Sequence, residues 1–157
     1  MTEGVVVVGY GNTLRTDDGL GWYAADRLAG DPRLPGATVL QRHQLMPELA
    51  LDISAAALVV LVDASHALSA GTVTVTPVER AGDATTTWSH HLSPPSLVAL
   101  AQELYGRAAD VFLVSCGVES FEMGDGLSPV VEAALPQVVD AVVEVIASRV
   151  AEHRADE

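Results

Sequence analysis

Val5-Val6-Val7-Val8-Gly9-Tyr10-Gly11-Asn12 is the stretch whose reading decides the fold. Four β-branched residues in a row that stop at a glycine fit a strand buried on both faces, as in a parallel sheet. Gly9, Gly11 and Asn12 then mark a tight turn, and a helix is expected from about Asp18 to Leu28. Ala57-Leu58-Val59-Val60-Leu61-Val62 repeats the buried-strand pattern and ends at Asp63, and Val111 to Ser115 repeats it again. Between these runs, Ala37 to Gln41 reads as a strand and Pro47 to about Ala55 as a short helix opened by its proline. Thr72 to Thr76 alternates as a strand does, and Thr85-Thr86-Thr87 reads as a polar loop. Ser93-Pro94-Pro95 opens a helix running to about Tyr105, and Leu127 to Ala151 contains a long last helix. Strands interleaved with helices predict an α/β fold: three layers, α/β/α, around a twisted, mostly parallel central sheet.

The chain has 157 residues, a length that fits one domain over 1–157 with about 152–157 as a disordered tail. With 49% hydrophobic residues it can fill a core, yet no apolar run approaches the roughly 18 residues of a membrane span. The single cysteine, Cys116, excludes an internal disulfide framework and a cysteine-rich zinc site. A soluble, cytoplasmic domain without a membrane partner is expected. Acidic residues number 21 against 8 basic ones, all arginine, for a net charge of −13. That balance argues against nucleic acid as a partner, because phosphate-backbone binding needs a basic footprint. It suits a solvated acidic surface, a basic partner or a cation.

In open parallel sheets, ligands sit beyond the carboxyl ends of the strands. The first strand feeds a loop carrying Asn12, Asp17 and Asp18, and the Ala57–Val62 strand ends on Asp63, so these acids fall on one rim. A dinucleotide site does not fit the loop. Leu14 stands where the third glycine of that fingerprint belongs, and two aspartates stand where a pyrophosphate needs positive potential. Consecutive residues at a helix start point about 100° apart, so one of Asp17 and Asp18 can cap while the other faces the cleft. Asp63 ends an apolar run, where an unpaired charge is costly, so it needs a cation, hydrogen bonds or a metal. His90 and His91 follow the polar loop, and one of them with two acids makes an O,O,N ligand set with room for a further ligand. Asn12, Asp17, His43 and His91 are further substrate-loop candidates. Cys116 reads as a small buried thiol, and Ser65 with His66 lacks a nucleophile-elbow pattern.

The run Gly9-Tyr10-Gly11-Asn12-Thr13-Leu14-Arg15-Thr16-Asp17-Asp18-Gly19-Leu20-Gly21 resembles the opening of the hydrogenase maturation proteases. The resemblance continues through Leu61-Val62-Asp63-Ala64, His90-His91-Leu92, Val114-Ser115-Cys116-Gly117-Val118-Glu119 and Gly126-Leu127-Ser128-Pro129, in order along nearly the whole chain. It implies an endopeptidase that removes the C-terminal extension of a nickel–iron hydrogenase large-subunit precursor after nickel insertion. By motif it implies metal contacts at Asp18, Asp63 and His90, with Asp18 and Asp63 as catalytic acids. His91 replaces His90 if the loop alignment slips by one. No permanently bound cofactor is implied: nickel arrives in the substrate, and other divalent ions suit the same ligands. Asp18 stands where some members carry Glu. Arg42-His43-Gln44-Leu45-Met46-Pro47-Glu48 replaces a glycine-rich loop, which leaves the choice of precursor open. The same residues would also serve a nickel-binding checkpoint module that inspects the precursor without cutting it.

Overall fold

The computed structural model describes residues 4–80 and 92–155. Among these residues five strands, β1 (Val5–Tyr10), β2 (Thr38–Arg42), β3 (Leu58–Ser65), β4 (Val73–Pro77) and β5 (Asp110–Gly117), form one sheet in the order β2-β1-β3-β5-β4. Strands β2, β1, β3 and β5 run parallel, and β4 closes one edge antiparallel to β5. Among the described residues, four α-helices flank the sheet: α1 (Leu20–Leu28), α2 (Leu49–Ala55), α3 (Pro94–Tyr105) and α4 (Pro129–Ala155).

Alternation along the strands sorts the core into two layers. Val5 and Val7 of β1 and Val60 and Val62 of β3 pack with Leu20 and Leu28 of α1 and with Val138, Val142 and Ile146 of α4. Val8 and Tyr10, with Val59 and Leu61, face the other way, into the cluster that holds Leu49 and Ile53 of α2 and Leu97 of α3. Both faces of the central strands are therefore apolar, which is why these strands read as unbroken valine and leucine runs. The α/β/α layering expected from the sequence is the arrangement found.

Helix α3 starts where its sequence says it should. The Ser93 side chain accepts the Ser96 N–H at 3.3 Å, and prolines fill the first turn, whose N–H groups need no intrahelical partner. Gly106, at φ 75°, ends it. Elsewhere the boundaries differ. Thr16–Gly19 is a 3-10 turn, and α1 begins only at Leu20. Pro47 lies in the turn ahead of α2, which starts at Leu49. Strand β3 continues past its apolar run to Ser65, because the ladder to Ser115, Cys116 and Gly117 of β5 joins backbones whatever the side chains are. Helix α4 runs to Ala155, into the stretch read from the sequence as a tail.

The strand order places the functional rim. From β1 the chain crosses to β2 on one side and then returns to β3 on the other, so the order reverses between β1 and β3. Loops leaving neighbouring strands in opposite directions open a crevice at their carboxyl ends. The loop after β1 and the last residues of β3 line it.

Candidate active site

Four glycines let the first loop fold tightly over the end of the sheet. A Cβ at Gly9 would overlap the carbonyl oxygen of Gly21, and one at Gly21 would press on the backbone of Tyr10 and Val62. Only with both positions bare can the first turn of α1 lie directly on β1 and β3. Gly11 has φ 150°, and a Cβ there would overlap the Asp18 carbonyl oxygen. Gly19 packs against Thr13 and Tyr23. The spacing of these glycines thus brings the backbone of Asp18 against the loop that leaves β1.

The two adjacent acids part company there. The half-buried Asp18 accepts the Asn12 N–H through Oδ2 at 3.0 Å, and the Asn12 side chain accepts the Leu14 N–H at 2.9 Å. Asp17 is turned inward and has no exposed surface. Its Oδ2 accepts the N–H groups of Glu119 and Ser120, each at 2.9 Å, and the Ser128 hydroxyl at 2.8 Å. Its Oδ1 accepts the Ser128 N–H at 2.7 Å. Burial alone would raise this carboxyl. The donors of Ser128, Glu119 and Ser120 outweigh burial and hold it below the usual carboxylate range. Asp17 is therefore a clamp between the β1 loop, the segment after β5 and the start of α4, and it does not face the crevice as a substrate contact.

The clamp is reinforced by Thr16, whose φ of 46° is the one positive value outside glycine among the described residues. Its hydroxyl donates toward the carbonyls of Ser120 at 2.9 Å and Glu122 at 3.2 Å, and its N–H donates to Gly124 at 3.0 Å. Strain of this kind persists only where the surroundings over-determine the conformation.

Asp63 is the third-last residue of β3, inside the ladder and half-buried, where the sequence suggested the strand's end. Its neighbours follow from register. Gly9 pairs with Val62, so the next residues, Tyr10 and Asp63, share the face that looks toward α2 and α3. Burial pushes the Asp63 carboxyl up to about 7, against the opposing effects of the Tyr10 hydroxyl and the Ala64 N–H, and the nearby charge of Asp18 adds to the rise. The Tyr10 phenol is raised in turn, by burial first and by Asp63 second. Its hydroxyl lies near enough to Asp63 to act on it, yet among the described residues it has no partner at full hydrogen-bond geometry. Among the described residues, neither Asp18 nor Asp63 is in an ion pair. Two carboxylates at one crevice without a counter-cation among the described residues favour a bound cation or a proton, and the second makes Asp63 a base suited to neutral pH.

Other residues singled out from the sequence fall as follows. His90 and His91 lie outside the described residues, and no group of three or more His, Cys, Asp and Glu side chains clusters as a metal site among those described. His43 is exposed and stacks on Trp22, ring centroids 4.8 Å apart. Cys116 is fully buried on β5, as a small core thiol should be. His66 stacks on Phe121 with centroids 3.8 Å apart. Sequence reading passed over Tyr10, because a tyrosine between two glycines looks like part of a turn. Only the register of β1 against β3 sets it beside Asp63.

No match was found among curated proteins. Solved structures of the same fold include the hydrogenase maturating endopeptidase HybD from Escherichia coli, at 23% identity and a TM-score of 0.70. That alignment covers 92% of this chain and 93% of the other. The [NiFe] hydrogenase maturation protease HycI from Thermococcus kodakarensis is similar at 25% identity and a TM-score of 0.68, covering 93% of each chain. A family model, HycI hydrogenase maturation protease, matches residues 39–145, more than half of the chain. With the crevice acids and glycine-built loop described above, these matches show that the chain belongs to the HycI family of hydrogenase maturation proteases and is a peptidase.

Proposed function

We propose that this protein is the endopeptidase that removes the C-terminal extension of a nickel–iron hydrogenase large-subunit precursor once nickel has been inserted. The observation that carries the reading is that Asp18 and Asp63 both stand on the carboxyl rim at the sheet's switch point, with burial raising the Asp63 carboxyl to about 7 and neither acid in an ion pair among the described residues. Nickel, in this reading, is part of the substrate. The precursor brings it to Asp18, Asp63 and His90, with His91 as the alternative imidazole, and this seats the adjoining peptide over the crevice. Asp63 then takes a proton from water as the water oxygen bonds to the scissile carbonyl carbon. The same proton passes to the leaving nitrogen as the C–N bond breaks. Nickel beside that carbonyl supplies Lewis-acid polarisation or serves as the recognition tag. The family match supports peptidase chemistry over a checkpoint role that leaves the precursor uncut. Action in the cytoplasm, where the precursor would be assembled, is part of the same proposal.

The experiment is intact-mass analysis of purified precursor incubated with this chain alone, in nickel-loaded and nickel-free forms. One discrete C-terminal mass loss, confined to the nickel-loaded form, is expected. No mass loss in either form would overturn the endopeptidase reading, and equal cutting of both would overturn the role of nickel.

A further inference from the structure

The register that joins β1 to β3 also joins a row of polar side chains across the carboxyl rim. Tyr10 pairs with Arg42 of β2, Asp63 pairs with Ser115 of β5, and Ser115 pairs with Thr74 of β4. Tyr10 is the member of this row with the least exposure, at 8%. Its ring belongs to the apolar cluster of Leu45, Leu49 and Leu92, a setting phenylalanine would fill equally well. The hydroxyl itself is buried and, among the described residues, has no partner at full hydrogen-bond geometry. A buried hydroxyl with nothing to bond is a net cost to folding, so packing does not account for it. The β1–β3 register sets Asp63 beside it, and a phenol O–H is a hydrogen-bond donor.

We propose that Tyr10 is a positioning residue for Asp63: as the precursor seats, its hydroxyl donates to one oxygen of the Asp63 carboxylate and turns the other toward the scissile peptide. A carboxylate rotates about a broad, two-fold torsion, and one fixed donor is enough to select an orientation. The donor comes from the strand beside β3, so its placement is as rigid as the sheet. In the free protein the bond is incomplete. Catalytic hydrogen bonds often tighten only in the loaded complex. The inference rests on the reading of Asp63 given under Proposed function.

The test is Tyr10→Phe, which removes one oxygen and leaves the ring. Steady-state processing of the nickel-loaded large-subunit precursor should show kcat lowered by about ten- to a hundredfold with KM within about twofold of wild type. The thermal midpoint should be unchanged or raised, because the hydroxyl has no partner at full hydrogen-bond geometry among the described residues. Wild-type kcat in Tyr10→Phe would overturn the proposal. So would a fall in kcat accompanied by a lowered midpoint, which would make the hydroxyl a structural group. Asp63→Asn run alongside separates the two levels of inference. If Asp63→Asn cuts normally, the role of Asp63 itself fails. If Asp63→Asn is inactive while Tyr10→Phe is normal, only the positioning role fails.

Discussion

Asp17→Asn is the substitution whose effect on folding follows most directly from the geometry. The wild-type carboxylate accepts four hydrogen bonds, three on Oδ2 and one on Oδ1, from the backbone of Glu119 and Ser120 and from both donors of Ser128. An amide keeps one oxygen and turns an NH2 group toward donors that now lack an acceptor. Hydrogen bonds to a charged group contribute about 1.5–3 kcal/mol each, and at least one is lost outright with the others weakened, so the expected cost is about 3 kcal/mol. For a domain of this size that lowers the thermal midpoint by roughly 6–12 °C. The same loss should appear as a reduced urea midpoint at pH 7 with an unchanged m-value. The pH dependence carries a sign. The folded carboxyl lies below its ordinary value of 3.8, so its stabilisation is complete above that value and fades as pH falls through the lower folded one. The gap between wild type and variant should be flat from pH 7 to about pH 5 and close in stronger acid. No gap at pH 7, or a gap that widens on acidification, would refute the clamp.

Asp63 has the opposite sign. Its folded carboxyl is raised from 3.8 to about 7, so the stability associated with its protonated form is full below the unfolded value and is lost as pH rises through the folded one. Asp63→Asn should therefore unfold at a higher temperature than wild type at pH 8 and at the same temperature near pH 4, and a constant difference in differential scanning calorimetry would contradict this. Gly21→Ala forces a Cβ onto the backbone of Tyr10 and Val62 and should cost about 3 kcal/mol or more in urea unfolding. Gly30→Ala meets no atoms but sits at φ 77°, so its cost should stay near 1 kcal/mol; equal losses in the two variants would mean that close packing at Gly21 is not what matters.

Much of this fold was legible because it is written in local chemistry. The valine run of β1 and the apolar run of β3 announce strands covered on both faces, and Ser93-Pro94-Pro95 announces a helix start. The glycines at 9, 11, 19 and 21 were legible as a motif but not as a mechanism, since the overlap of Gly9 with Gly21 exists only once α1 lies on the sheet. That Asp17 and Asp18 would point different ways followed from helical geometry, as one to cap and one for the cleft. That Asp17 is instead turned inward depends on Glu119, Ser120 and Ser128, donors more than a hundred residues away in sequence. Asp63 was placed at the strand's end because its side chain breaks the apolar pattern, whereas the ladder with β5 continues past it. Tyr10 stayed hidden for a related reason: pairing register between strands is a property of the sheet, which no window of the β1 sequence contains.

The central claim is that Asp18 and Asp63 act together on a peptide bond of the precursor. The direct measurement is the single-turnover rate of C-terminal mass loss from nickel-loaded precursor with excess wild type, Asp18→Asn or Asp63→Asn, each confirmed folded by its thermal midpoint. The account predicts a fall of about a hundredfold or more for each folded variant, in the range expected when a general base is removed. Wild-type rates in either folded variant would contradict it.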